Sequence, residues 1–112
     1  MARTIGPSVV TSVGASRDGP ELDPEIMSRG LLAVESRVAF EPYPAGAHEL
    51  QGLDPSAAVE LGEILAGTRD GRTSPDQITV YKSMGHAVED AAAAGLVYGR
   101  ALEEGAGTEV EL

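Results

Sequence analysis

The stretch from His86 to Glu104 constrains this chain more than any other part of it. Ala87, Val88, Ala91, Ala92, Ala93, Ala94, Leu96, Val97, Tyr98, Ala101 and Leu102 leave almost no polar face until its end. A helix that is apolar nearly all round is buried on most sides. A chain of 112 residues holds few other elements with which to enclose it. A compact core helix with an alanine-rich exposed side also fits, since Ala is tolerated anywhere on a helix. The pattern favours a long apolar C-terminal helix packed between a sheet and a further piece of protein.

The sheet is legible upstream. Ser8 to Val13 is rich in β-branched residues and closed by Gly14, which predicts a buried strand. Asp23-Pro24-Glu25 reads as an N-cap, a proline at the first helical position and an acid in the first turn. That helix runs to about Arg29 and stops at Gly30, and Leu31 to Val34 is a second strand. The segment from Glu35 to Gly52 has no clean period and is expected to be mostly irregular. Asp54-Pro55 repeats the cap signal, and Ala58, Leu61, Ile64 and Leu65 mark one helix stripe ending at Gly67. Arg69-Asp70-Gly71 is a turn, Ile78 to Tyr81 a strand, and Ser83-Met84-Gly85 a tight junction into the last helix.

Charge and composition narrow the functions. The net charge is -10, with no basic run to offset it, which argues against nucleic acid and anionic membrane surfaces as partners. The absence of cysteine excludes disulfides and thiolate metal sites. The apolar run after Arg3 is interrupted by Gly6 and Pro7, too short for a signal-peptide core, so the expected compartment is the cytoplasm. The 4% aromatic content leaves a core of small and aliphatic side chains, each burying little area.

Strand passes to helix twice, around Val13 to Pro24 and from Tyr81 to His86. In doubly wound sheets ligands sit outside the carboxyl ends of the strands, so both junctions can face one site. The second junction presents a helix N-terminus, favourable for polar or anionic ligand atoms. No GxGxxG-like turn opens a helix anywhere, so the phosphate-binding half of a dinucleotide site is absent from these residues.

At these junctions the chain resembles the ornithine cyclodeaminase/mu-crystallin family. The stretches that carry the resemblance are VVTSVGASRDGPELDPEIM at residues 9 to 27 and GRTSPDQITVYKSMGHAVEDAAAAGLVY at residues 71 to 98, with ELGEILAG at residues 60 to 67 between them. The resemblance is to the C-terminal third of such a protein. It implies an α/β fold: the end of a partial Rossmann-like, doubly wound dinucleotide-binding domain, with residues 1–112 as a single partial domain and no second domain. Family members are two-domain, usually dimeric enzymes that use NAD or NADP for amino-acid or cyclic-imine chemistry, as lyases or oxidoreductases. The resemblance places their substrate-binding Lys and Arg residues, and their phosphate-holding turn, in regions that precede the matching stretches.

Carried over residue by residue, the resemblance puts Gly14 and Ala15 in the turn that approaches the nicotinamide, and Ser83, Met84 and Gly85 at the junction that contacts the ring. Ser16 stands where cyclodeaminases place an Asp thought to act on substrate or water. A neutral hydroxyl is no general base without a neighbour to take its proton. Pro20 stands where relatives carry Lys or Arg. Plainer readings stand beside these: Gly14 and Gly85 as ordinary turn glycines, Ser83 as a helix cap, and Glu89 and Asp90 as partners of the helix dipole. Ser83, His86 and Asp90 lie one turn apart on a single helix, a spacing that disfavours a triad. His48 and His86 lack the paired carboxylates of a metal site.

Three functions follow as expectations. The chain is a truncated or split member of the family that contributes the cofactor-ring side of a site acting on a small amino or imino acid. It is expected to be inactive alone and not to hold the cofactor by itself. Alternatively it is a non-catalytic module whose last helix pairs with a second copy or with a separate N-terminal portion, or a decayed remnant.

Overall fold

Parallel strands need crossover connections, and helical or irregular segments lie between every pair of strands in this chain. The computed structural model describes residues 8–111; the reading of Arg3, Gly6 and Pro7 lies outside them. The strands are β1 (Val9–Val13), β2 (Leu31–Val34), β3 (Val59–Glu60) and β4 (Thr79–Ser83). They form one parallel sheet in the order β1-β4-β2-β3. The fold is therefore α/β with a parallel sheet. β4, last in sequence, sits in the middle, so the chain skips a position after β1 and returns to fill it.

Register fixes the carboxyl edge. Val13 pairs with Ser83 and Val34 with Lys82, so β1, β4 and β2 end side by side. Leu32, Val34 and Val80 pack on one face with Met27, Ala39, Ala47, Leu50 and Ala58. Met27 comes from α1 (Pro24–Met27), whose N-cap Asp23 accepts the Glu25 N–H at 2.9 Å as the sequence predicts. The other face is open near β1, where Val9 and Val13 are exposed.

One expectation about the middle of the chain holds with added detail, and one needs correction. The segment from Glu35 to Gly52 contains two 3-10 turns, Arg37–Phe40 and His48–Leu50, which deliver Ala39 and Leu50 to the core. The stripe from Ala58 to Leu65 is not one helix. Asp54 caps a 3-10 turn at Pro55–Ala57, β3 follows, and α2 spans only Leu61–Leu65. Arg37 explains the break. Its guanidinium meets Glu63 at 2.9 Å and Glu60 at 3.4 Å and donates to the Ala58 carbonyl at 3.0 Å, which holds the backbone out of a continuous helix. The Arg37 hydrogen bond lowers the Glu63 pKa, and Glu63 in turn raises that of Arg37.

The last helix, α3 (Ala87–Glu104), has the expected extent and the wrong burial. None of its residues is buried, and Val88, Leu96, Val97, Tyr98 and Leu102 are each about two-thirds exposed. It is not apolar all round either, since Glu89, Asp90, Arg100, Glu103 and Glu104 punctuate it. Among the described residues no helix is long and apolar enough to cross a membrane. The helix ends at Gly105, whose φ of 63° supplies the left-handed cap. The radius of gyration is 17.7 Å, against roughly 13 Å for a compact chain of this length. A projecting α3 accounts for the difference.

Candidate functional site at the carboxyl edge of the sheet

The two strand–helix junctions meet directly. The Gly14 N–H donates to the Ser83 carbonyl at 2.7 Å, continuing the β1–β4 ladder past the end of β1. Gly14 has φ 94° and Gly85 φ 79°, both in the left-handed region that a side chain disfavours. A Cβ at either position would meet nothing within 4 Å, so each glycine faces open space. A cleft of about 300 Å³ opens beside the second junction, lined by Glu35, Ser36, Val38, Met84, Gly85 and His86 among others. A larger cleft of about 460 Å³ lies against the end of α3, around Tyr98, Leu102 and Gly105. It contains none of the junction residues.

Of the residues singled out in sequence, Gly14, Ala15, Ser83, Met84 and Gly85 lie at this edge. Ser83 neither caps α3 nor stands free. Its hydroxyl donates to Glu35 at 2.7 Å and accepts the Gly85 N–H at 3.2 Å, while the Met84 N–H donates to the other Glu35 oxygen. The N-cap position of α3 belongs to His86, which makes no side-chain cap. A Ser83–His86–Asp90 triad has no support, because the hydroxyl is committed to Glu35 and both His86 and Asp90 are exposed. Ser16 is half-buried in the first loop and its hydroxyl accepts the Asp18 N–H at 3.2 Å. No carboxylate or imidazole is hydrogen-bonded to it among the described residues.

Four residues at this edge were not found from sequence: Glu35, Tyr81, Lys82 and Glu49. Glu35 follows β2 directly, a position whose meaning depends on β2 lying next to β4. Burial raises the Tyr81 pKa, and the Glu35 and Glu89 carboxylates add to it against an opposing Ser83 hydrogen bond. That phenol stays protonated beyond the ordinary tyrosine range. Lys82 is wholly buried. Its Nζ lies 2.8 Å from Glu49 as an ion pair, 3.0 Å from Glu21 and 2.9 Å from the Ser12 hydroxyl. The Lys82 hydrogen bond holds the Glu21 carboxyl below its usual pKa. His48 is stacked on Tyr43, and no group of three potential metal ligands occurs among the described residues.

Known proteins resemble this chain in sequence and fold. The family model of the ornithine cyclodeaminase/mu-crystallin family matches residues 4–105. The chain is 33% identical over 109 residues to an alanine dehydrogenase of Archaeoglobus fulgidus, covering 91% of this chain and 33% of that protein. It is 44% identical over 90 residues to the ketimine reductase mu-crystallin of Mus musculus, covering 80% of this chain and 27% of that protein. Among solved structures, the Thermococcus litoralis Delta(1)-pyrroline-2-carboxylate reductase in complex with NADH and L-proline superposes with a TM-score of 0.71 and 36% identity. That match covers 94% of this chain and 34% of the reductase. The chain thus spans about a third of the length of the relatives it matches.

Proposed function

This chain belongs to the ornithine cyclodeaminase/mu-crystallin family, and from that premise we propose that it forms the nicotinamide-facing part of an NAD(P)-dependent oxidoreductase for a small amino or imino acid. The observation that carries this reading is the Val13–Ser83 register, which joins the Gly14 and Gly85 turns at one open edge. The 112 residues are then one partial domain, the end of a doubly wound Rossmann-like sheet plus α3, in a cytoplasmic protein. The likeness to a reductase complexed with NADH and L-proline supports both the cofactor class and the substrate class.

The residues fit the ring end of such a cofactor and not its phosphate end. Open space over Gly14 and Gly85, beside Ala15 and Met84, leaves room for a flat ring against the backbone. Two donors of the second junction are already used internally, because Glu35 takes the Met84 N–H and Ser83 takes the Gly85 N–H. The junction therefore orients by shape, with Ser83 holding its backbone. A bound nicotinamide supplies the hydride chemistry, and the protein's part is to orient it and exclude water. Ser16 would face the substrate as a neutral hydroxyl, able to hold a polar group and unable to draw a proton at neutral pH. This favours hydride transfer over cyclodeamination.

With no phosphate-cradling turn in its sequence, the chain by itself should show no heat of binding with NAD or NADP in calorimetry. The exposed aliphatic residues of α3 support packing against further polypeptide of such an enzyme, either a second copy or an N-terminal portion. The decisive experiment joins this segment to the N-terminal portion of an active relative. The joined protein is expected to bind NADH and to reduce a cyclic imino acid while failing to convert ornithine to proline. Ser16→Asp should raise ornithine conversion above Ser16→Ala by about 10²-fold, the lower range of general acid–base effects. A joined, folded protein that binds no NADH would sink the proposal. Equal ornithine turnover with Ser16 and Asp would remove the role given to Ser16.

A further inference from the structure

Lys82 is the one buried cation among the described residues, and the ring-facing reading above makes no use of it. A lysine is rarely buried unless it is paired, and removing it from water costs several kcal/mol before any partner is counted. Its three partners come from three different places. Ser12 lies on β1, Glu21 in the loop between β1 and α1, and Glu49 in the 3-10 turn at His48–Leu50. The Ser12 hydroxyl also donates to the same Glu21 oxygen at 3.1 Å. Glu49 is as buried as Lys82, whereas the Glu21 side chain keeps about a third of its surface exposed.

These partners divide the labour. The Glu49 pair lies inside the body and gives the buried ammonium a counter-charge at 2.8 Å. The Glu21 bond reaches outward and holds the far end of the loop that begins at Gly14 and carries Ser16. The near end of that loop is held by the Gly14 bond to the Ser83 carbonyl, on the residue next to Lys82. Two adjacent β4 residues thus grip both ends of the first junction. We infer that Lys82 is a positioning residue: through Glu21 it sets the Gly14–Pro20 loop, and with it Ser16, against the Ser83–Gly85 junction. That these loops face a cofactor rests on the proposed function; that Lys82 orders the loop does not.

Amide hydrogen exchange on the whole chain tests this, using Glu21→Gln as the main variant because Lys82 then keeps Glu49 and the fold. Removing the charge that strengthens the Lys82–Glu21 hydrogen bond is expected to speed exchange of the loop amides of residues 15–19 by about tenfold. Amides of β2 and β4 should hold their wild-type rates. In the wild type the loop should also lose protection as pH falls through the depressed Glu21 pKa, and in Glu21→Gln the loop profile should be flat over that range. Lys82→Met is expected to give the same loop pattern where it folds. Loop exchange in Glu21→Gln equal to wild type, or a rise spread evenly over the chain, would overturn the inference. A joined protein whose loop is ordered through Glu21 and which still binds no NADH would count against the cofactor reading alone.

Discussion

Lys82 and Leu96 belong to neighbouring elements and reverse the usual pattern of burial. The lysine is wholly buried, while the leucine is 65% exposed. The difference lies in partners rather than in hydrophobicity. β4 has strands on both sides and carboxylates from two other segments, so even an ammonium is satisfied within it. Among the described residues α3 buries none of its side chains, so even leucine stays wet. Burial follows the contacts a fold makes available, and the apolar character of a segment says only what it would gain from a partner.

The largest expected effect lies on the buried side of this comparison. Lys82→Met removes the ammonium and leaves Glu49 buried without its counter-charge. Breaking a buried pair in this way costs about 3–5 kcal/mol. Urea unfolding followed by circular dichroism should show that loss. A change below about 1 kcal/mol would mean that the Glu49 carboxylate is rehydrated at little cost once the ammonium is gone. Gly46→Ala comes next. A Cβ there would lie 1.9 Å from the Glu41 carbonyl oxygen and 2.5 Å from that of Ala39, both backbone atoms. Overpacking of this kind costs about 1–3 kcal/mol, read from the same unfolding curves.

Those two residues also mark where sequence reasoning stopped. Elements announced by local chemistry were legible: the β-branched run of β1, the Asp23-Pro24 cap of α1, the strand Leu31–Val34 and the extent of α3 to Glu104. β4 was found with its end two residues short, because Lys82 and Ser83 are not strand-like by type. The Lys82 cluster was invisible for a related reason. Its partners lie 33, 61 and 70 residues away in sequence, positions that only the sheet order brings together. Asp54-Pro55 was a true cap whose turn is 3-10, since Arg37 acts on it from 18 residues upstream. Glu35 escaped for want of the β2–β4 pairing.

A smaller effect separates acid from neutral conditions. Glu21, Glu63 and Asp54 all have folded pKa values below their ordinary ones, Glu21 chiefly through Lys82, Glu63 through Arg37 and Asp54 through the Ser56 backbone N–H. A carboxyl with a depressed folded pKa contributes stability that is fully present above the unfolded pKa. That contribution fades as pH falls through the folded value. Stability should therefore decline as pH drops below about 4, the ordinary carboxylate range. Glu21→Gln and Arg37→Gln should each flatten part of that decline. A denaturation midpoint that stays level from neutrality to pH 3 would contradict the assignment of these pairs.

The smallest expected effect on stability is the sharpest test of the exposed side. Leu96 and Val97 are each about two-thirds exposed, so replacing them together with Gln should change the unfolding free energy by no more than about 0.5 kcal/mol, the usual bound for surface positions. The same substitutions should alter what the surface does. Contiguous exposed apolar residues mark sites of association, so the wild-type chain should self-associate or bind a hydrophobic dye, and the double variant should run as a monomer with little dye fluorescence. Light scattering behind a sizing column separates the cases. A large loss of stability in the double variant would mean that α3 folds back onto the sheet in solution, against the open face beside Val9 and Val13. A wild-type chain that is monomeric and dye-silent would mean the same. Either result would abolish the contrast between Lys82 and Leu96, because both would then owe their state to partners within the chain.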